Sequence, residues 1–198
     1  MIHEDKIQKI AVADSPNNDA FESIVELYFQ LKGYITSSGK WFWYAEKGKH
    51  QRGYQDFDVL AINGNETIIV SCSTNLDDKV AFNQKGKINE AKLNKLLNFF
   101  KRAEEYLLSV SDYKWLSNEP RKTKKLVAYL RSQKKRLPDI RDCLLGHDIR
   151  LLGSTDIVDS IVEYLNEKEE KKNLKVQNQT LRMLQVLKYN GVFDDKYE

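Results

Sequence analysis

The sequence has 198 residues, of which 41% are hydrophobic and 11% aromatic, so the chain can bury a core and is not a disordered segment. No apolar run approaches the roughly 18 residues that cross a membrane, which predicts a cytoplasmic protein with no membrane partner. Cys72 and Cys143 are too few and too far apart for a disulfide framework or a zinc site.

The net charge of +3 conceals a strong asymmetry. Residues 79–136 carry 16 Lys/Arg and 5 Asp/Glu, a net charge of +11, which leaves −8 for the rest of the chain. A basic middle between acidic flanks predicts a face that meets phosphate groups. The alternative is a set of solvated, lysine-rich helix faces.

Apolar periodicity and turn residues predict the elements in chain order. We expect a helix at about 19–32, a strand within 34–47, a loop at 47–54, strands at about 56–62 and 66–74, a long helix after 78, a strand at 125–130, a short helix at 138–145, a strand at 148–152, a helix from 154 or 155 to about 165, and a last helix that carries Leu174, Leu181, Leu184 and Leu187. A hairpin followed by alternating helices and strands predicts an α/β fold with a mixed sheet flanked by helices. We divide the chain into an α/β domain at 1–166 and a C-terminal helical extension at 167–198.

The two strands around Asn63-Gly64-Asn65 form a predicted hairpin. If the last two of these residues make the turn, Asp58 lies directly opposite Ser71; if the first two do, Asp58 faces Ile69. Both registers keep Asp58 on the face of Ser71 and Ser73. Alternation along the first strand places Asp58 with Leu60 and Ile62, and Phe57 with Val59 and Ala61.

The predicted order, the helix "FESIVELYFQLKGY" and the hairpin "QDFDVLAINGNETIIVSCST" resemble the restriction-endonuclease-like superfamily called PD-(D/E)XK. Members have an αβββαβ core, an Asp on the second strand, and a third strand that ends in E-x-K or D-x-K. The resemblance covers residues 19–130. The sequence is similar in particular to nuclease domains fused to CRISPR-associated ring-nucleotide sensors, in which a helix like "KLNKLLNFF" also follows the hairpin. This similarity implies a role in antiviral defence.

The resemblance also implies roles for individual residues. Asp58 takes the place of the metal-binding Asp, Glu22 that of a helix acid that helps to hold the metal, and Asp56 that of an auxiliary acid. The carbonyl of Cys72 is a further metal ligand. In the family these oxygens hold Mg²⁺ or Mn²⁺, hard cations that polarise the scissile phosphate.

This sequence departs from the family at two catalytic positions of the E-x-K motif. Ser71 stands in place of the acid and Ser73 in place of the lysine, so the site loses one charge of each sign. We therefore expect a degenerate site with reduced or lost activity, which uses Mg²⁺ or Mn²⁺ if it is active and otherwise needs no cofactor. The alternative is a relocated lysine, from Lys79, Lys85 or Lys87, together with a relocated acid, from Glu66, Asp77 or Asp78.

Two surfaces are candidates for nucleic-acid contact. The segment at 121–136 has eight Lys/Arg and no acid around an apolar strand, and basic charge at strand ends can also protect a sheet edge. Its basic residues are Arg121, Lys122, Lys124, Lys125, Arg131, Lys134, Lys135 and Arg136, which we group with Lys79, Lys85 and Lys87 as predicted phosphate contacts. In the segment "KWFWYAEK", Trp41 and Trp43 share one face of a strand and Phe42 and Tyr44 share the other, and one pair is expected in the core.

Three functions follow from these observations. The first is a nuclease-like protein that binds DNA or RNA and whose catalytic activity is reduced or lost. The second is an active Mg²⁺- or Mn²⁺-dependent endonuclease that uses Asp58 and Glu22 with relocated partners. The third is an interaction module that keeps only the fold and assembles through its last helix with a second copy or another protein.

Overall fold

The computed structural model describes residues 20–45, 52–64, 66–83, 86–109, 122–169 and 179–190. The elements in chain order are α1 (Ala20–Leu31), β1 (Ile35–Ala45), β2 (Arg52–Ile62), β3 (Glu66–Asn75), α2 (Leu76–Lys79), α3 (Glu90–Ser109), β4 (Lys122–Arg131), a 3₁₀ turn (Lys134–Arg136), α4 (Leu137–Leu145), β5 (Ile149–Gly153), α5 (Ser154–Glu169) and α6 (Gln179–Tyr189). No helix in these ranges is both long and apolar enough to span a membrane.

The five strands form one mixed sheet in the order β1-β2-β3-β4-β5. The first three strands pair antiparallel, and β3, β4 and β5 pair parallel. Parallel neighbours need a crossover connection, and α3 and α4 lie within the two crossovers. The expected α/β fold with a mixed sheet and flanking helices is confirmed.

Each face of the sheet has its own apolar cluster, because side chains alternate along the strands. Leu60, Ile69 and Val127 pack against α3 and α4 on one face. Val59 and Val70 pack against α1, α5 and α6 on the other face. Helices therefore cover both faces of the sheet, as expected where parallel strands are present.

The hairpin between β2 and β3 adopts the first of the two predicted registers. Val59 pairs with Val70 and Leu60 with Ile69. The backbone N–H of Asn63 donates to the carbonyl oxygen of Glu66 at 3.1 Å, so these two residues pair at the end of the hairpin. Asp58 accordingly lies across from Ser71.

The predicted alternation along β2 is wrong at Phe57. Phe57 belongs to the same cluster as Leu60 and Ile62, whereas alternation from those two residues assigns it to the opposite face. The β1–β2 ladder has no pair at Asp58, and Gly39, which would face it, has a φ of 61°. Because a left-handed backbone conformation changes the direction of the strand, the ladder resumes with its faces exchanged.

Two boundaries differ from the sequence prediction. β2 begins at Arg52, so part of the expected loop at 47–54 is strand, and its remainder lies outside the described residues. α5 continues to Glu169, past the break expected at 166. In α6, Leu181 and Leu184 are buried against the cluster that contains α1, while the predicted apolar residue Leu174 lies outside the described ranges.

The core on the α3 side makes a stability prediction. Phe57 is fully buried, and its ring centroid lies 4.6 Å from that of Phe42. Phe57→Ala should lower the free energy of unfolding by about 3–5 kcal/mol, because it removes apolar contacts and leaves a cavity. Urea denaturation followed by circular dichroism measures this change.

Leu130→Ala is the matched control, since Leu130 is 50% exposed on β4. Its effect should stay within about 0.5 kcal/mol. Equal effects of the two substitutions would contradict the assignment of Phe57 to the core.

Candidate functional site

A pocket opens beside the hairpin, between the sheet and the helices that follow β3. Its volume is about 350 Å³. Strand residues line one side, and α2 and α3 line the other. The lining residues are Gln55, Asp56, Asp58, Ser71, Asp78, Lys79, Lys92, Lys95, Leu96 and Phe99.

The one-turn helix α2 brings charged residues to the pocket. Asn75 ends β3 in an extended conformation, and its side-chain oxygen accepts a hydrogen bond from the Asp77 N–H. Leu76 and Val80 are fully buried and anchor both ends of the turn. The turn therefore exposes its polar residues to the pocket while its apolar residues hold it against the core.

Asp58 is the most constrained charged group in the pocket. Its side chain is 17% exposed. Its Oδ2 atom accepts hydrogen bonds from the Cys72 N–H at 2.5 Å and from the Ser71 hydroxyl at 3.2 Å. The Lys79 ammonium lies 3.7 Å from the same oxygen. One carboxylate thus joins β2, β3 and α2.

Burial raises the pKa of Asp58 above its ordinary value of 3.8. The neighbouring charge of Asp56 acts in the same direction. Lys79, the Cys72 N–H and the Ser71 hydroxyl oppose the rise, because each stabilises the ionised form. Desolvation outweighs the three opposing effects, so ionisation of the Asp58 carboxyl lowers the free energy of unfolding.

Three lysines converge on this pocket. Of the three predicted substitutes for the missing catalytic lysine, Lys79 lines the pocket. Lys87 lies on the loop that leads to α3, and Lys85 lies outside the described residues. The sequence prediction missed Lys92 and Lys95. Lys92 Nζ donates to the Asp77 carbonyl at 2.6 Å and so joins α3 to α2. Helical spacing places residues 92, 95, 96 and 99 on one face of a helix, but it does not specify that this face meets the hairpin.

The other predicted site residues, Glu22, Cys72 and Ser73, do not line the pocket. Glu22 lies in the first turn of α1, whose buried side chains pack on the opposite face of the sheet, and it does not line the pocket. The Cys72 side chain also packs on that face. The Ser73 hydroxyl donates to the Asn75 carbonyl at 2.7 Å.

Of the three acids considered as relocated ligands, one lines the pocket. Asp78 is that residue. Glu66 lies at the turn end of β3, where it accepts a hydrogen bond from the Tyr34 hydroxyl and pairs with Lys124. The carbonyl oxygen of Asp77 accepts a hydrogen bond from Lys92 Nζ, but Asp77 does not line the pocket.

These groups do not fit the divalent cation that the resemblance implies. Mg²⁺ and Mn²⁺ prefer several anionic oxygen ligands. No group of three His, Cys, Asp or Glu with metal-binding geometry occurs within the described ranges. At the position of the second acid, the Ser71 hydroxyl donates to Asp58, and Asp58 Oδ2 already faces two hydrogen-bond donors and an ammonium.

The pocket also contains an unused acceptor. The side-chain oxygen of Gln55 is buried and has no hydrogen-bond partner among the described residues. A buried polar atom without a partner is costly, so this oxygen lowers the stability of the pocket wall.

The predicted basic segment on and after β4 divides into two groups. Lys124 pairs with Glu66, and Lys125 pairs with Glu104 at 2.9 Å, so acids neutralise the first group. The second group lies at the other end of β4, where Arg131 pairs with Asn75 at the entrance to α2.

The exposed members of that second group are Arg131, Lys134, Lys135 and Arg136. The Arg136 guanidinium lies 4.8 Å above the ring of Phe82, on the chain segment that follows α2. The backbone of Lys122 pairs with that of Glu66, and Arg121 lies outside the described residues. Only the second group therefore shares an end of the sheet with α2 and the pocket.

Comparison with known proteins leaves the family open. No family model matches the chain, and no curated protein matches it. A crystal structure of a protein of unknown function, AF1548, is similar at 11% identity and a TM-score of 0.42, over 90% of this chain and 100% of that one. A likeness at this level carries no functional argument, so the class defined here is an α/β protein with a charged pocket beside its central hairpin.

The raised pKa of Asp58 makes a prediction with a definite sign. The carboxyl binds its proton more tightly in the folded state than in the unfolded state. The free energy of unfolding therefore falls as pH rises from 3.8 through the raised pKa, and this loss is absent below 3.8. Asp58→Asn keeps an acceptor for the Cys72 N–H and removes the buried charge.

The variant should consequently unfold at a higher temperature than the unmodified protein at pH 7. The difference should shrink as the pH falls toward 3.8, as followed by calorimetry across this range. Asp139→Asn is the control, because the Asp139 side chain is 58% exposed beside Arg136. A variant that is less stable at every pH would contradict this account.

Proposed function

We propose that this chain is a nucleic-acid-binding protein of the PD-(D/E)XK type whose pocket holds a backbone phosphate and whose metal-dependent cleavage is lost. One observation carries the proposal. At the position where the family has its second acid, Ser71 donates a hydrogen bond to Asp58, and Lys79 adds a positive charge to the same carboxylate. The site keeps the family's Asp but uses it to hold donors and a cation.

The order of elements supports membership of this superfamily. The described chain runs αβββαβ from α1 to β4, apart from the single turn α2, and Asp58 lies on the second strand. Ser71 is directly across the hairpin from Asp58, and Ser73 is two residues further along the same strand. These are the relative positions that the family's motif requires.

The lysines of the pocket support phosphate binding. An ammonium group binds phosphate as a compact point charge. Asp58 keeps Lys79 at the pocket wall, and Lys92 is held by the Asp77 carbonyl, so two ammonium groups are positioned before a ligand arrives. Lys95 is exposed at the same wall.

Exposed charges beyond the pocket favour a polymer over a free phosphate. Arg131, Lys134 and Lys135 lie at the end of β4 that adjoins α2. A row of positive charge is the usual footprint of a phosphodiester backbone. The bound strand would run from the pocket along this end of the sheet.

A second candidate is an active endonuclease, and a specific contact favours it. The Lys79 ammonium lies 3.7 Å from Asp58, as a relocated lysine would. Asp78 lines the same pocket, as a relocated acid would. Incubation of labelled DNA and RNA with Mg²⁺ or Mn²⁺ separates the candidates. Cleavage that Asp58→Ala abolishes would establish the second candidate and overturn the first.

Phosphate binding predicts a graded loss of affinity. Lys79→Gln and Lys95→Gln should each weaken binding to any sequence, because each removes a positive charge without removing a hydrogen-bonding side chain. For a single strand, each should reduce the slope of log affinity against log salt by about 0.7. Fluorescence anisotropy at several salt concentrations measures both effects.

Lys101→Gln is the matched control on the same helix. The Lys101 side chain is 73% exposed, pairs with Glu105 and does not line the pocket. It should leave affinity and slope unchanged. If Lys101→Gln reduces binding as much as Lys95→Gln does, the pocket has no special role.

Restoration of the two missing charges makes a complementary prediction. Ser71→Glu with Ser73→Lys should create Mg²⁺-dependent cleavage of DNA or RNA, because the pocket beside Ser71 has room for a longer side chain. Activity should disappear when Asp58→Ala is added, as a denaturing gel can detect. A folded double variant that binds the strand without cutting it would show that this geometry is not that of a nuclease.

A further inference from the structure

An aromatic surface lies on the β1–β2 arm, beside the pocket. We call Trp41, Trp43 and Tyr54 the aromatic platform. Their side chains are 54%, 37% and 62% exposed. Trp43 pairs directly with Tyr54 across the two strands, and Trp41 is two residues along from Trp43, so all three share one face.

The aromatic residues on the opposite face of this arm belong to the core. Phe42 is buried against Phe57 and Tyr106, and Tyr44 packs against the same cluster. One of the two predicted pairs is therefore in the core, as expected. The platform residues are the other pair plus Tyr54, and an exposed group of large rings indicates a surface that binds something.

A cation is already stacked on the platform. The Arg52 guanidinium lies 4.0 Å from the centroid of the Trp43 ring. Arg52 is itself exposed, so its charge is available to an anion beside the rings. Flat aromatic faces combined with a guanidinium suit a ligand that has both flat rings and phosphates.

The platform meets the pocket at one residue, because Trp41, Trp43 and Tyr54 lie on the face of the arm opposite Phe42, whereas the pocket lies on the α3 side. Trp41 pairs with Asp56, and Asp56 lines the pocket. Asp58 is two residues further along β2, at a strand rise of roughly 3.3 Å per residue. A strand with a base on Trp41 would therefore pass Asp56 at the rim of the pocket to bring a nearby phosphate to Lys79.

We propose that the aromatic platform stacks unpaired bases, so that the ligand of this protein is single-stranded nucleic acid whose backbone enters the lysine pocket. This inference rests on the proposed function and specifies its ligand. In a duplex, neighbouring base pairs cover the faces of each base, whereas a single strand offers those faces to aromatic side chains. The positive charges of Arg52 and the pocket lysines favour this ligand over an apolar protein surface.

The test uses the full chain and four labelled ligands of equal length. They are oligo-dT, oligo-U, an abasic deoxyribose-phosphate strand and a blunt DNA duplex. Trp41→Ala and Tyr54→Ala should each weaken binding of the base-containing single strands by about 5- to 100-fold, the range of stacking on one ring. Affinity for the abasic strand and the duplex should not change.

Two kinds of control accompany these variants. Trp41→Phe and Tyr54→Phe keep a ring and should restore most of the affinity. Ile35→Ala removes a side chain that is 78% exposed on the same strand, at the end away from the platform, and should have no effect. Thermal unfolding confirms that each variant is folded.

The outcomes separate the platform from the pocket. If the alanine variants bind oligo-dT and oligo-U as the unmodified protein does, the platform proposal is overturned. Equal losses on the abasic strand would also overturn it, because no base is then involved. If Lys79→Gln and Lys95→Gln weaken binding of all four ligands while the platform variants weaken none, the proposed function stands and only this inference fails.

Discussion

The buried carboxylate of Asp58 is the contact on which the site depends. A single oxygen receives the Cys72 N–H and the Ser71 hydroxyl from β3 and faces Lys79 from α2. Since the side chain is largely out of water, these donors compensate for lost hydration, and the raised pKa shows that compensation is incomplete. A residue kept at a cost to stability is typical of a functional site.

The surrounding charges explain what such a site can still do. A neutral hydroxyl at Ser71 gives Asp58 no anionic partner at that position, and the neighbouring ammonium competes with any divalent cation for the same oxygen. The same ammonium, together with Lys92 and Lys95, suits an anion. Under the proposed function, Ser71 and Ser73 would stand where the superfamily has its acid and lysine, and the pocket would hold a phosphate in place of a metal ion.

The sequence predicted the parts of the fold that local chemistry determines. The turn signal Asn63-Gly64-Asn65 and the apolar strands limited the register to two choices, and the Asn63–Glu66 hydrogen bond selects one of them. The exchange of faces at Phe57 was not predictable from β2 alone, because it coincides with Gly39 on the neighbouring strand. Lys92 and Lys95 join the site only through the packing of α3 over α2, which periodicity within one helix does not specify.

Under the proposed function, the pocket binds a nucleic-acid strand and does not cut it. The direct measurement is one incubation of the unmodified protein with a labelled single strand, with and without Mg²⁺, in which anisotropy reports binding and a denaturing gel reports the length of the strand. We expect binding that weakens steeply as salt rises, with the strand intact under both conditions. Absence of binding, or Mg²⁺-dependent cleavage that Asp58→Ala abolishes, would contradict it.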